Sequence, residues 1–191
     1  MKLLHAAVAS VLLIQLASGA EALRLRVDGE HLRVTAPGLH FLAGHPMERL
    51  RNGAAVNYIL QLTVRNERVG RIVARAPERF TVSYDLWEEK FAVSRQGIPT
   101  RSASNLSSTA TETWCIENLA IPVAQLPVDR AFWIALEYAS ETQRDSSRSV
   151  VEDLSLGNLV DILSRRPHDD LEVRGAEEVG PIRLEDLRKK K

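Results

Sequence analysis

Hydrophobic and polar positions alternate with a period of two over much of the chain, the signature of strands that bury one face and wet the other. Leu23, Leu25 and Val27 alternate with Arg24 and Arg26, and Leu32 and Val34 with His31, Arg33 and Thr35. Asp28-Gly29 between the two runs predicts a hairpin, because both central residues of a type I′ turn need positive φ. The parity is clearest in Val56, Tyr58, Leu60, Leu62 and Val64, and again in Phe80, Val82, Tyr84 and Leu86. Further runs at Val69 to Arg75, at Phe91 and Val93, and at Ala131 to Ala139 extend this into a meander of sequential antiparallel strands. Ala76-Pro77 is expected to interrupt it, since proline has no N–H to give to a ladder.

Helical signals are fewer. Met47 to Arg51 predicts a helical turn behind Pro46, closed by Asn52-Gly53. Ile98 to Ser108, rich in Ser, Thr and Arg, predicts a surface loop that delivers an N-cap to a helix over about Thr109 to Leu119, before Pro122. Near the C-terminus the period changes: Leu156, Leu159, Val160 and Leu163 stand at i, i+3, i+4 and i+7, which predicts an amphipathic helix over 150–166. The fold class is therefore mainly β: an antiparallel β-sandwich or strongly bent meander sheet of about seven strands, with one inserted helix and a C-terminal amphipathic helix. An open barrel is the alternative topology.

The first 22 residues change the picture of where the protein works. Lys2, an apolar run from Ala6 to Ala17 and small residues at Ser18, Gly19 and Ala20 form the three zones of a signal peptide, cleaved after Ala20 or Ala22. An uncleaved anchor is the competing reading, although His5 and Gln15 interrupt a run barely long enough to span a bilayer. Residues 23–139 then form a β-rich domain, 140–149 a polar linker, 150–166 the amphipathic helix and 167–191 a charged, poorly ordered tail. The expected location is exported, periplasmic or secreted, with no transmembrane span after signal removal.

Charge is balanced, with 25 basic and 25 acidic residues, which argues against nucleic acid as a partner. Cys115 is the only cysteine, so no disulfide forms within the chain and no four-cysteine zinc site exists. The stretch Leu50-Arg51-Asn52-Gly53, the alternating strand after it, and Arg79-Phe80-Thr81-Val82-Ser83-Tyr84-Asp85 with Phe91 following resemble a family of bacterial exported proteins catalogued only as a domain of unknown function. The resemblance covers roughly residues 24–140 and, being one of strand and turn patterns, implies no site residues.

Candidate chemistry is sparse. Cys115 falls inside a predicted helix beside Trp114 and Ile116, which favours a buried structural thiol over a nucleophile. His31, His40 and His45 form the only histidine cluster and lack metal-site spacing, so no metal and no cofactor is expected. Asp85, Glu88 and Glu89 bunch at a strand end, where a solvated turn explains them better than paired acid/base work. No catalytic residue is assigned. The aromatics Trp87, Trp114, Tyr58, Tyr84, Tyr138, Phe80 and Phe132 are expected to fill the core, while Trp133 sits on the opposite parity from Phe132 and Ile134. The expected function is that of a non-enzymatic envelope module binding an envelope protein through the C-terminal helix, with Trp133, Leu156, Leu159, Val160 and Leu163 as partner contacts. The alternatives are a carrier or sensor of an apolar ligand, and a secreted hydrolase using carboxylates such as Asp85 and Glu88.

Overall fold

The computed structural model describes residues 23–141 and 171–189. The linker residues 142–149 and the helix expected over 150–166, with Leu156, Leu159, Val160 and Leu163, lie outside the described residues, as does the N-terminal segment 1–22. In chain order the elements are β1 (Arg24–Asp28), β2 (His31–Thr35), α1 (Gly44–Arg51), β3 (Val56–Arg65), β4 (Ile72–Asp85), β5 (Lys90–Arg95), β6 (Arg101–Leu106), α2 (Ser108–Glu117) and β7 (Ile121–Pro122). A 3-10 turn at Val123–Gln125, β8 (Phe132–Glu141), β9 (Leu171–Ile182) and α3 (Leu184–Lys189) complete them.

The strands form two antiparallel sheets in a mainly β, sandwich-like fold. A large sheet has the order β6-β5-β4-β3-β8-β9 and a small one β1-β2-β7. In the large sheet the alternation predicted from sequence decides which side is buried. Tyr58, Leu60, Leu62 and Val64 of β3 pair across the ladder with Ser140, Tyr138, Leu136 and Ile134 of β8. On the other side Tyr58 lies opposite Phe80 and Val56 opposite Val82 of β4. These side chains, apolar except for Ser140, form the inner face, which α1, α2 and the small sheet cover in one continuous core. The outer face carries Gln61, Thr63, Glu137 and Arg65, joined by hydrogen bonds of 2.9–3.4 Å to the Glu137 carboxylate.

Sequence logic also accounts for the helices. Ser107 caps α2, its Oγ accepting from the Ala110 amide at 3.2 Å, as the Ser/Thr-rich stretch predicts. Arg33 of β2 donates to the Glu117 carbonyl at 2.9 Å, so a cation meets the negative end of α2 and ties the small sheet to it. The segment between β2 and α1 drops Phe41 into the core, with ring centroids 5.1 Å from Tyr58 and 5.8 Å from Tyr138.

Four expectations need correction. The β1–β2 turn is centred on Gly29 and Glu30, one residue later than Asp28-Gly29, because Asp28 pairs with His31 and Gly29 takes the positive φ of 58°. β4 runs unbroken through Pro77, which sits opposite Gln61; the fixed φ of proline suits an extended strand even though the N–H is lost. The stretch Arg101–Leu106, expected as loop, is the edge strand β6, where polar side chains are tolerated because one side of the ladder faces water. Residues 171–189 are likewise a strand and a helix and not a poorly ordered tail: β9 pairs with β8 from Glu141↔Leu171 to Phe132↔Ile182. Its charges are those of an edge strand. Two glycines in β9 lie under aromatic rings of β8, Gly175 under Tyr138 and Gly180 under Trp133, so the larger partner fills space that the glycine leaves.

Candidate functional site

β4 and β5 meet in a six-residue tip, Asp85-Leu86-Trp87-Glu88-Glu89-Lys90, where strand alternation ends. Asp85 closes the tip with its own side chain: Oδ1 accepts from the Trp87 amide at 2.8 Å and the Glu88 amide at 3.0 Å. Such an Asx turn replaces a backbone hydrogen bond and fixes the residues that follow it. The Glu88 amide foremost, then that of Trp87, holds the Asp85 carboxyl below the usual carboxylate range. Glu89 takes the left-handed conformation, φ 53°, that returns the chain into β5.

The turn holds Leu86 and Trp87 outside the core. Trp87 is 96% exposed and Leu86 56% exposed, whereas Tyr84 and Phe91 just behind them pack against the core with ring centroids 4.8 Å apart and planes tilted by 52°. A large aromatic held out on a rigid turn contributes nothing to folding by burial, and such residues are the ones that anchor protein interfaces. Beside the tip an open cleft of about 280 Å³ lies between the β4–β5 hairpin and Ser104 and Asn105 of β6. Asp85, Glu88 and Lys90 form its charged wall.

A second polar site joins α2 to the segment that precedes α1. Glu112 of α2 is buried, and its carboxylate accepts from the Leu42 amide at 2.8 Å and meets His40 Nδ1 at 2.9 Å. His40 itself reaches solvent. The pair anchors the segment before α1 to α2, which accounts for a carboxylate in the core without invoking chemistry. Cys115, one turn along α2, is buried, and burial first, then the charge of Glu112, pushes its thiol far above the ordinary range. An expected result follows: thiol reagents such as DTNB label native protein at a small fraction of the rate seen in denaturant. Equal rates would place Cys115 at the surface.

Trp133 lies on the outer face of β8, as its parity predicts, but only half-buried: it packs on Gly180, and the Arg68 guanidinium sits 5.6 Å from its ring centroid. It is therefore partly covered by its own chain. Asp85 and Glu88 line one cleft, without Glu89, yet Asp85 is committed to the turn, and its lowered pKa suits neither an acid near neutral pH nor a strong base. His40 meets Glu112 and not a metal-ligand set, and among the described residues no group of three His, Cys, Asp or Glu stands close enough to hold a metal ion. Among the described residues no helix is long and apolar enough to cross a membrane.

Trp87, expected among the core aromatics, stands outside the core. The signal that separates it is local: Asp85 two residues earlier is a turn former, and Leu86 and Trp87 are consecutive, so alternation cannot bury both. No family model matches the chain, and neither a curated protein nor a solved structure matches it, so the assignment of a site rests on this geometry alone.

Proposed function

We propose that this chain is an exported, non-enzymatic envelope protein that binds another protein through the Leu86–Trp87 tip of the β4–β5 hairpin. The observation that carries this reading is the near-complete exposure of Trp87 on a turn fixed by Asp85. Preorganisation matters because a rigid anchor loses little conformational entropy on binding, so more of its burial appears as affinity. Leu86 supplies a second apolar side chain, and Glu88 and Glu89 supply a charged rim that fixes orientation more than it adds strength. The apolar-carrier reading has less support, since the clefts among the described residues are open to solvent and the inner face is filled by side chains.

The test compares wild-type protein with Trp87→Ala in capture from envelope extract, followed by affinity measurement with the recovered partner. Trp87→Ala is expected to weaken binding by roughly 30-fold or more, the mark of a central anchor. Its folding stability is expected to change by less than about 0.5 kcal/mol, because the side chain packs on nothing. A partner captured equally by both proteins would move the binding site away from the tip.

A further inference from the structure

The outward positions of β3 are Asn57, Ile59, Gln61, Thr63 and Arg65, and Ile59 breaks a run that is otherwise polar. Ile59 shares a rung with Ala139 of β8, which in turn lies opposite Arg174 of β9. The next rung is Gln61, Glu137 and Ala176. Ile59 and Ala139 are half-buried and Ala176 is exposed, and the two short alanine side chains beside the isoleucine leave a cleft of about 650 Å³ open to solvent. The elements that cover the core do so from the inner side, so this apolar floor gains nothing from them. Its polar surroundings are already satisfied. Glu137 accepts from Gln61, Thr63 and Arg65, Glu141 meets Arg79 at 2.8 Å, and Arg174 has a partner within the chain. An apolar cover therefore strands no charge.

We propose that the cleft is the docking site of the chain's own residues 150–166, lying across β3, β8 and β9 as a helix with Leu156, Leu159, Val160 and Leu163 packed on Ile59, Ala139 and Ala176. The place where this segment leaves and rejoins the sheet selects it over other occupants. β8 ends at Glu141 and β9 begins at Leu171, and these two residues face each other across the ladder, on the rung beyond Ala139 and Arg174. Both ends of residues 142–170 are thus tied beside the cleft. Tethering of this kind gives an effective concentration on the order of millimolar, so a modest apolar contact is enough to hold the segment down. Residues 142–149, at coil dimensions, reach roughly 16 Å, sufficient to bring the first turn of the helix back over Ile59. The size also matches. From Leu156 to Leu163 a helix rises roughly 11 Å, and three strands about 4.8 Å apart span nearly the same distance. A helix this short is marginal alone in water, and burial of its apolar side is what makes it form. Those four leucine and valine side chains are then occupied within the chain and do not serve a partner protein, which leaves the Leu86–Trp87 tip untouched.

The experiment is hydrogen exchange read by mass spectrometry on the full chain as purified, compared with a synthetic peptide of residues 142–170. Amides of residues 154–163 are expected to exchange at least about tenfold more slowly in the protein than in the peptide. Ile59→Lys, and separately Ala176→Arg, place a charge under the apolar side of the helix and are expected to bring those amides to the peptide rate. The amides of β3 and β4 stay protected in both, which shows the sheet intact. Leu159→Asp/Leu163→Asp is expected to have the same effect from the opposite side of the contact. Ile98→Lys, which replaces an exposed apolar side chain on the β5–β6 turn, is expected to change nothing. Protection is expected to be equal at about 5 µM and about 500 µM protein, since both surfaces belong to one chain. Exchange at the peptide rate in the unmodified protein overturns the proposal. So does protection that survives both Ile59→Lys and Ala176→Arg, which puts the segment elsewhere, or protection lost on dilution, which makes a second copy the occupant.

Discussion

Replacing Phe80 by Ala is expected to cost about 3–5 kcal/mol of folding free energy, the range for deleting a fully buried phenyl ring from a core that cannot collapse around the gap. Phe80 is completely buried and stands at the joint between two layers. Within the sheet it lies opposite Tyr58 on β3 and opposite Arg95 on β5. Across the layer its ring meets the edge of Trp114 on α2, with centroids 6.0 Å apart and planes at 79°. Strand neighbours on both sides are fixed by ladder hydrogen bonds and α2 is fixed by its cap and by Arg33, so the void left by alanine stays open. For a chain of this size the loss corresponds to a fall in Tm of roughly 6–20 °C. Phe80→Leu keeps most of the volume and is expected to cost under about 2 kcal/mol. Urea unfolding of the two variants measures both; a Phe80→Ala loss below about 1 kcal/mol would mean that α2 does not pack on β4 as described.

Phe80 also shows why much of this fold is legible in the sequence. β3 and β4 each place apolar residues on one parity over five or more positions, so the buried face, the register class and the antiparallel meander follow from period alone. Edge strands lack that signal. Among the described residues β6 and β9 are the outer strands of the large sheet, each paired on one side, so Ser102, Ser104, Arg174 and Glu178 occupy strand positions that read as loop or tail. Pro77 misleads for a related reason, since a rule about missing N–H groups does not say whether the strand survives the loss of one bond. The candidate site was hidden differently. Trp87 is a core-type residue by composition, and its exposure depends on two hydrogen bonds from backbone amides to Asp85, a geometric fact that hydropathy does not encode. Buried Glu112 gave no signal either, because a charged residue on a short helix is normally read as its wet face.

Glu112 carries the second large effect. Glu112→Ala is expected to destabilise the protein by about 2–4 kcal/mol, because the Leu42 amide then stays buried with no acceptor and His40 loses its anchor. The damage should be local before it is global. Phe41, wedged between Tyr58 and Tyr138, is held in place by the same short segment, so its packing loosens when Glu112 no longer ties Leu42 to α2. Hydrogen exchange should therefore show Leu42 losing protection first, while the amides of β3 and β4 exchange only through global unfolding. Glu112→Gln keeps an acceptor of the same reach for the Leu42 amide and gives up only the negative charge toward His40, so its cost should be about 1 kcal/mol. The two variants together separate hydrogen-bond satisfaction from charge. If Gln costs as much as Ala, the contact with His40 is the dominant interaction; if both cost little, the segment before α1 is held by Phe41 alone, and the buried carboxylate needs a role beyond anchoring it.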